Sequence, residues 1–296
     1  MNKINETTET KSLLLDSSLI SQYKNNLKPC NERVLYDCKI IRCGDYLQVY
    51  FFDNIKSKSN EDLKEKSFNI KSVDTDNLYK VASNEPKQIL LSNAIRSNLA
   101  CQRIAKTNRN EWESFITLTF KENITDIAKA NKIFGSWVSN VRKLKKDFKY
   151  LAVPEFQKRG AVHYHILSNL GLEDKKVILE QKTKKGKAEN CDTLYDVKFW
   201  SKGFVRVDFI KGDYKKIYSY ICKYMTKDID NKLFGKKRYF YSQNLQKPTT
   251  EFLNLSDTKH LEYFKNLIKD NNLEYESIYE DNYTKQKIQF REFLNE

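Results

Sequence analysis

No stretch of this chain is apolar for long enough to cross a membrane. The longest runs, Ser12-Leu13-Leu14-Leu15 and Phe115 to Phe120, fall far short of the ~20 residues a spanning helix needs. The first residues, Met1-Asn2-Lys3-Ile4-Asn5-Glu6, contain no apolar core of the kind a secretion signal requires, so a cytoplasmic protein is expected. No lipidation motif occurs, which leaves a membrane-surface role without an anchor. The six cysteines, at 30, 38, 43, 101, 191 and 222, include no Cys-x-x-Cys pair. They read as reduced thiols; a zinc site on Cys38 and Cys43 would lack a second ligand pair. There is no Gly-x-x-x-x-Gly-Lys-[Ser/Thr], which excludes a P-loop helicase within these residues. Histidine is also scarce: there are three.

What is present is positive charge. Lys and Arg number 53 against 39 Asp and Glu, a net charge of +14. Such an excess favours a polyanionic partner, nucleic acid first. The length of 296 residues and a hydrophobic content of 40% suit one large domain or two small ones with a proper core. Mean hydropathy is −0.72, in keeping with a chain rich in polar segments.

Residues 1–85 are dominated by Ser, Asn, Asp and Lys, with β-like stretches at Tyr46–Phe52 and Ser67–Ile70. They read as a tail and a small accessory region. From Pro86 to Arg109 a helical stripe runs through Ile89, Leu90, Ala94, Ile95, Leu99, Ile104 and Ala105, with Lys87, Arg96, Arg103 and Lys106 on the other side. Ser114 to Phe120 alternates as a buried strand. A second amphipathic helix follows, from Ile124 to Leu144, with Asn123 or Thr125 as its cap and a basic end that suits the helix dipole. Strands are expected at Tyr150–Gln157, Ala161–Ser168 and Gly203–Ile210, then a helix over Asp213–Lys227. This order of strand, helix, strand, strand, strand, helix predicts an α+β domain over 86–250. Its centre is an antiparallel sheet of the split βαβ (ferredoxin/RRM-like) kind with flanking helices. Residues 251–296, acidic and aromatic, are expected to close the domain as a helix and strand extension.

Two of the three histidines stand in one segment, Glu155-Phe156-Gln157-Lys158-Arg159-Gly160-Ala161-Val162-His163-Tyr164-His165. In a strand, residues i and i+2 share a face, so His163 and His165 present two imidazoles to one point. Glu155 and Gln157 have matching parity across a Lys-Arg-Gly turn, and a hairpin there brings one of them to the same point. Two imidazoles and a hard oxygen make a divalent-metal site with open positions. Downstream lies Tyr220-Ile221-Cys222-Lys223-Tyr224-Met225-Thr226-Lys227. At about 100° per residue, Tyr220, Lys223, Tyr224 and Lys227 form one stripe of two phenols and two ammoniums. A phenol beside ammoniums is a nucleophile suited to phosphorus, because the cations favour the phenolate and offset phosphate charge.

Three segments together, Phe115–Phe120, Glu155–His165 and Tyr220–Lys227, resemble the three motifs of rolling-circle replication initiators. These belong to the HUH endonuclease superfamily, and the resemblance is to the two-tyrosine type of phages and plasmids. The last segment fits Tyr-x-x-Lys-Tyr-x-x-Lys at every specified position, and Trp200-Ser201-Lys202-Gly203-Phe204 and Lys237-Arg238-Tyr239 are also similar to that group. The likeness covers residues 86–250 and implies the HUH endonuclease fold.

The resemblance implies that His163, His165 and Glu155, with Gln157 as runner-up, bind Mg²⁺ or Mn²⁺. It implies that Tyr220 is the first nucleophile, Tyr224 the second, and Lys223 the group that neutralises the phosphate. The first motif is implied to be a core strand without chemistry of its own. The DNA-contacting candidates are Lys227, Arg142, Lys145, Lys146, Lys184, Lys185, Lys237 and Arg238, where stacking on tyrosine and backbone neutralisation suit single-stranded DNA. The implied substrate is single-stranded DNA at a replication origin, with a host helicase and polymerase as partners. Rival readings are a relaxase, which brings more histidines; a single-strand transposase, which is shorter; a non-catalytic nucleic-acid-binding module; and a hydrolase that uses water.

Overall fold

One strand of this protein has no exposed residue. Val162–Ser168 is buried along its whole length, and the elements around it form the larger of two units, residues 74–247. The coordinates are a computed structural model, which describes residues 33–59, 86–180, 195–212, 236–281 and 285–295, with Tyr218 and Ile221.

In this unit α1 (Pro86–Thr107) precedes β3 (Ser114–Leu118), α2 (Ile127–Leu144), β4 (Tyr150–Phe156) and β5 (Val162–Ser168). A two-stranded ribbon of β6 (Ile178–Glu180) and β7 (Tyr195–Val197) follows, then β8 (Val205–Phe209) and β9 (Phe240–Tyr241). The main sheet has the order β8-β3-β5-β4-β9, with every pair antiparallel. Because β5 lies between β3 and β4 and runs against both, those two are parallel and α2 carries the chain across between them. This is the expected split βαβ arrangement within an α+β fold.

The apolar stripe of α2 explains the packing. Ile127, Ala130, Phe134, Trp137, Val138 and Val141 are buried against Ile116, Leu118, Ala152, Tyr164 and Ile166 from one face of the sheet. The Phe134 and Tyr164 rings stack at 4.5 Å, and Tyr164 donates its hydroxyl proton to Asn131 at 2.6 Å. The helix cap is Asp126, whose carboxylate accepts from the Ala128 N–H at 2.8 Å. Asn123 and Thr125, expected for this role, precede it: the helix begins later than the apolar pattern suggests. Pro154 fits within β4 because β9 pairs only with Leu151 and Ala152 and leaves that edge open beyond them.

The other unit joins residues 1–73 to 248–296. Its described parts are β1 (Arg33–Cys43), β2 (Tyr46–Ser59), β10 (Thr249–Leu253), α3 (Thr258–Ile268), β11 (Asn272–Glu280) and β12 (Lys287–Leu294). The sheet order is β10-β1-β2-β12-β11, and Phe264 of α3 packs on Cys38, Ile40, Leu47, Val49, Leu253 and Phe293. The flanks expected to be separate, 1–85 and 251–296, thus share one sheet, and the C-terminal flank belongs with the N-terminal one. Cys38 and Cys43 are buried free thiols within β1; burial, with Asp37 next to it, pushes the Cys38 thiol well above its ordinary value. The expected strand at Ser67–Ile70 lies outside the described residues. Among the described residues no helix is long and apolar enough to cross a membrane.

Candidate active site

A tight turn sets the register of the β4–β5 hairpin. The Gly160 N–H donates to the Gln157 carbonyl at 2.7 Å and the Gln157 N–H to the Ala161 carbonyl at 2.9 Å. Gly160 has φ +86°, the left-handed region that favours glycine. The register that results pairs Glu155 with His163 and Val153 with His165. On the other side of β5, Thr117 of β3 pairs with His165, and Arg206 of β8 with Thr117. Directly opposed residues share a face. Glu155, His163, His165, Thr117 and Arg206 therefore stand on one side of the sheet, opposite the side that α2 covers.

The two imidazoles are nearly buried, His163 at 7% and His165 at 5% exposure. His165 Nε2 lies 2.7 Å from Glu155 Oε2, and its Nδ1 lies 3.3 Å from Thr117 Oγ1. The Phe115 ring stacks on it at 5.9 Å. These contacts fit two tautomers. Either Nε2–H donates to Glu155 while Thr117 donates to Nδ1, or Nδ1–H donates to Thr117 and leaves an Nε2 lone pair beside the carboxylate. The second is the state of a metal ligand held by an outer partner.

His163 is the less satisfied ring. Its Nε2 is buried and has no hydrogen-bond partner in the structure. Burial, then the neighbouring His165, push its pKa down to about 4; Glu155 opposes the shift and Arg159 adds to it. It is neutral at pH 7 and carries an unused nitrogen. Two imidazoles and a carboxylate are a donor set that suits a divalent cation, and an orphaned buried nitrogen fits such a use. The ligands are not drawn into a closed cage: among the described residues no three His, Cys, Asp or Glu side chains gather as a metal-binding group.

The alternative oxygen ligand, Gln157, accepts from Arg159 Nε at 3.1 Å and stands at the turn, whereas Glu155 is the one in contact with a histidine. The third histidine, His260, is apart from this site, on α3, where its Nδ1 accepts from the Asn254 N–H. Tyr220, Lys223, Tyr224 and Lys227 lie outside the described residues, as do Lys184 and Lys185. Of the expected helix over Asp213–Lys227, Tyr218 and Ile221 are described; both are helical and buried.

The basic candidates separate by environment. Lys146 and Lys237 are exposed. Arg142 is exposed too, with its guanidinium 5.8 Å from the centre of the Tyr150 ring. Lys145 is half-buried and ion-paired with Asp174 at 3.0 Å. Arg238, expected on a DNA-contacting surface, is buried at 7% exposure, as is Tyr239 beside it. Thr117 was not anticipated: the first motif, expected to carry no chemistry, touches His165. Its position opposite His165 depends on pairing between strands distant in sequence. Phe204 and Arg206 were missed as well, although the alternation of β8 puts them on the histidine face.

Residues 113–229 match the family model of the replication-associated protein ORF2 group. The chain is also 30% identical over 132 residues to the phasyl DNA replicon protein arp of Escherichia coli, a match covering 40% of this chain and 44% of that protein. The chain thus spans less than half the length of this curated relative. No solved structure matches significantly. Both similarities point to a replication-initiator family.

Proposed function

We propose that this protein is a rolling-circle replication initiator of the HUH endonuclease type, for a phage or plasmid. It nicks single-stranded DNA at an origin through a tyrosine and later rejoins the strand. The observation that carries the reading is the placement of His163, His165 and Glu155 on one open-edged sheet face, within a segment that matches replication-associated proteins through residue 229. The same segment contains the Tyr-x-x-Lys-Tyr-x-x-Lys run.

His163, His165 and Glu155 would hold Mg²⁺ or Mn²⁺, with Thr117 fixing the tautomer of His165. The ion would supply positive charge at the scissile phosphate. Tyr220 Oη attacks phosphorus. The new phosphorus–oxygen bond forms as the bond to the 3′ oxygen breaks, the phenolic proton passes to solvent, and the 3′ oxygen takes one up. The products are a 5′-phosphotyrosine and a free 3′-OH that primes a polymerase. Lys223 offsets the charge on the phosphate. Tyr224 repeats the attack at the regenerated junction, and the freed 3′-OH then displaces the first tyrosine. The phosphodiester energy is held in the covalent link, so joining needs no nucleotide. The enzyme works in the cytoplasm with a host helicase and polymerase.

Single-stranded oligonucleotides tiled across the replicon, incubated with protein and Mn²⁺, test this. An SDS-stable protein–DNA adduct is expected, and its loss in Tyr220→Phe is expected to identify the first nucleophile. DNA cleavage without any adduct would refute the tyrosine mechanism and favour hydrolysis by water.

A further inference from the structure

Beyond the nicking chemistry, the face that carries the histidines continues past β3, and its outer strand is built to receive a base. Thr119 N–H and Oγ1–H both donate to the Phe204 carbonyl, at 3.0 Å and 2.9 Å, so the β3–β8 pairing extends one residue beyond Leu118 and Val205. Val205 and Val207 face the α2 core. By alternation Phe204 and Arg206 face the histidine side. Two rows of side chains then cross the sheet. One runs Phe204, Thr119, His163, Glu155; the next runs Arg206, Thr117, His165, Val153. At about 4.8 Å between strands, Phe204 stands roughly 10 Å from His163, two strands away.

Phe204 is 60% exposed, the largest value of any phenylalanine or tyrosine among the described residues. That is an expensive place for a phenyl ring unless a partner covers it. Its backbone is held rigidly from below. The Lys121 N–H donates to the Lys202 carbonyl at 2.7 Å, and the buried Trp200 indole donates to the Thr119 carbonyl at 3.0 Å. A Cβ on Gly203 would meet Thr119 O at 2.2 Å, so only glycine lets the two strands close here. One strand position on, Arg206 is exposed and paired with Asp208 at 2.9 Å. An exposed ion pair of this kind is weak and exchanges readily for a phosphate.

We propose that Phe204 and Arg206 form a nucleotide subsite beside the metal-ligand cluster: an unpaired base of single-stranded DNA stacks on the Phe204 ring, and Arg206 binds the adjoining backbone phosphate. The subsite rests on the reading of the substrate as single-stranded DNA. It positions a nucleotide near the scissile phosphate and favours flexible, unpaired DNA over duplex, because a stacked base must leave its own helix.

The test measures binding apart from cutting. The full chain is kept in EDTA, and its affinity for the tiled single-stranded oligonucleotides is read by fluorescence anisotropy. 2-Aminopurine is then stepped along the tightest binder. Phe204→Ala is expected to weaken binding about ten-fold, since one base–aromatic stack is lost. It is expected to abolish 2-aminopurine quenching at one position only, and Phe204→Trp should restore both. Arg206→Ala should reduce the salt dependence of binding by close to one phosphate contact. Equal affinity and unchanged quenching in Phe204→Ala would overturn the subsite, even where wild-type protein forms the covalent adduct. Loss of quenching in Phe204→Ala alongside a wild type that forms no adduct would uphold the subsite and sink the nicking mechanism instead.

Discussion

Two glycines in the larger unit should respond to the same substitution with opposite sign. Gly160 closes the hairpin that opposes Glu155 to His163, and its φ of +86° lies where an L side chain is strained. An alanine there costs about 1–2 kcal/mol for the left-handed backbone. Its Cβ would also meet the Thr125 methyl at 3.3 Å, a contact that must give by a few tenths of an ångström. Gly135 is exposed within α2, and a Cβ there meets nothing within 4 Å. Gly135→Ala should therefore stabilise by about 1 kcal/mol, the helix-interior difference between the two residues. With a urea slope of about 2 kcal/mol per molar, the midpoint should fall by roughly 0.5–1 M in Gly160→Ala and rise by roughly 0.5 M in Gly135→Ala.

Tryptophan fluorescence is a selective readout. All three tryptophans, Trp112, Trp137 and Trp200, are buried in this unit. The transition they report is that of residues 74–247, without the other unit. A Gly160→Ala midpoint at or above that of wild type would refute the left-handed turn and, with it, the register that brings Glu155 to the histidines.

Asp126→Ala removes the cap of α2 and should cost about 1 kcal/mol by the same fluorescence measurement; no loss would mean that the helix starts elsewhere. The pKa of His163, about 4 against an ordinary 6.5, gives a stability that is complete above pH 6.5 and is lost as the pH falls toward 4, because the unfolded chain takes the proton more readily. Thermal melts across that window should decline more steeply for wild type than for His163→Gln, and parallel curves would count against a buried neutral ring. Thr117→Val keeps the β-branched shape and deletes the hydroxyl beside His165; Mn²⁺ affinity, read by calorimetry, is expected to fall about ten-fold, as for the loss of an outer partner of a metal-bound histidine. Unchanged affinity would make Thr117 a bystander.

Local pattern made much of the larger unit legible. The 3.6-residue stripe from Ile127 to Val141 and the alternation of Val205–Phe209 are visible because each buries one face only. Gly160 following Lys158 and Arg159 announced the hairpin. What pattern did not carry was anything decided by pairing across distance. β1 was missed because Val34–Cys43 mixes charged and apolar residues without clean alternation, and a bulge between Tyr36 and Cys38 breaks its period. The union of the two flanks rests on Phe51 pairing with Gln289 and Cys38 with Leu253, contacts that span more than two hundred residues. Arg238 looked like a DNA contact because its neighbours are basic, yet residue type alone does not say which way a side chain turns.

The split βαβ topology explains why the site needs three separate motifs. A strand at the centre of a sheet has both edges occupied, and β5 is that strand. Its histidines can be reached laterally only from β3 on one side and β4 on the other. The first supplies Thr117 to His165 Nδ1 and the second supplies Glu155 to Nε2. Each imidazole nitrogen of His165 is thus served by a different motif, and the two motifs are joined by α2, whose packing on the opposite face fixes their spacing. The helix therefore acts on the chemistry without touching it: a shift of β4 against β5 by one residue would turn Glu155 away and leave His165 with Thr117 alone. Arg206 extends the same logic by one strand, since β8 can meet the histidine face only by way of β3.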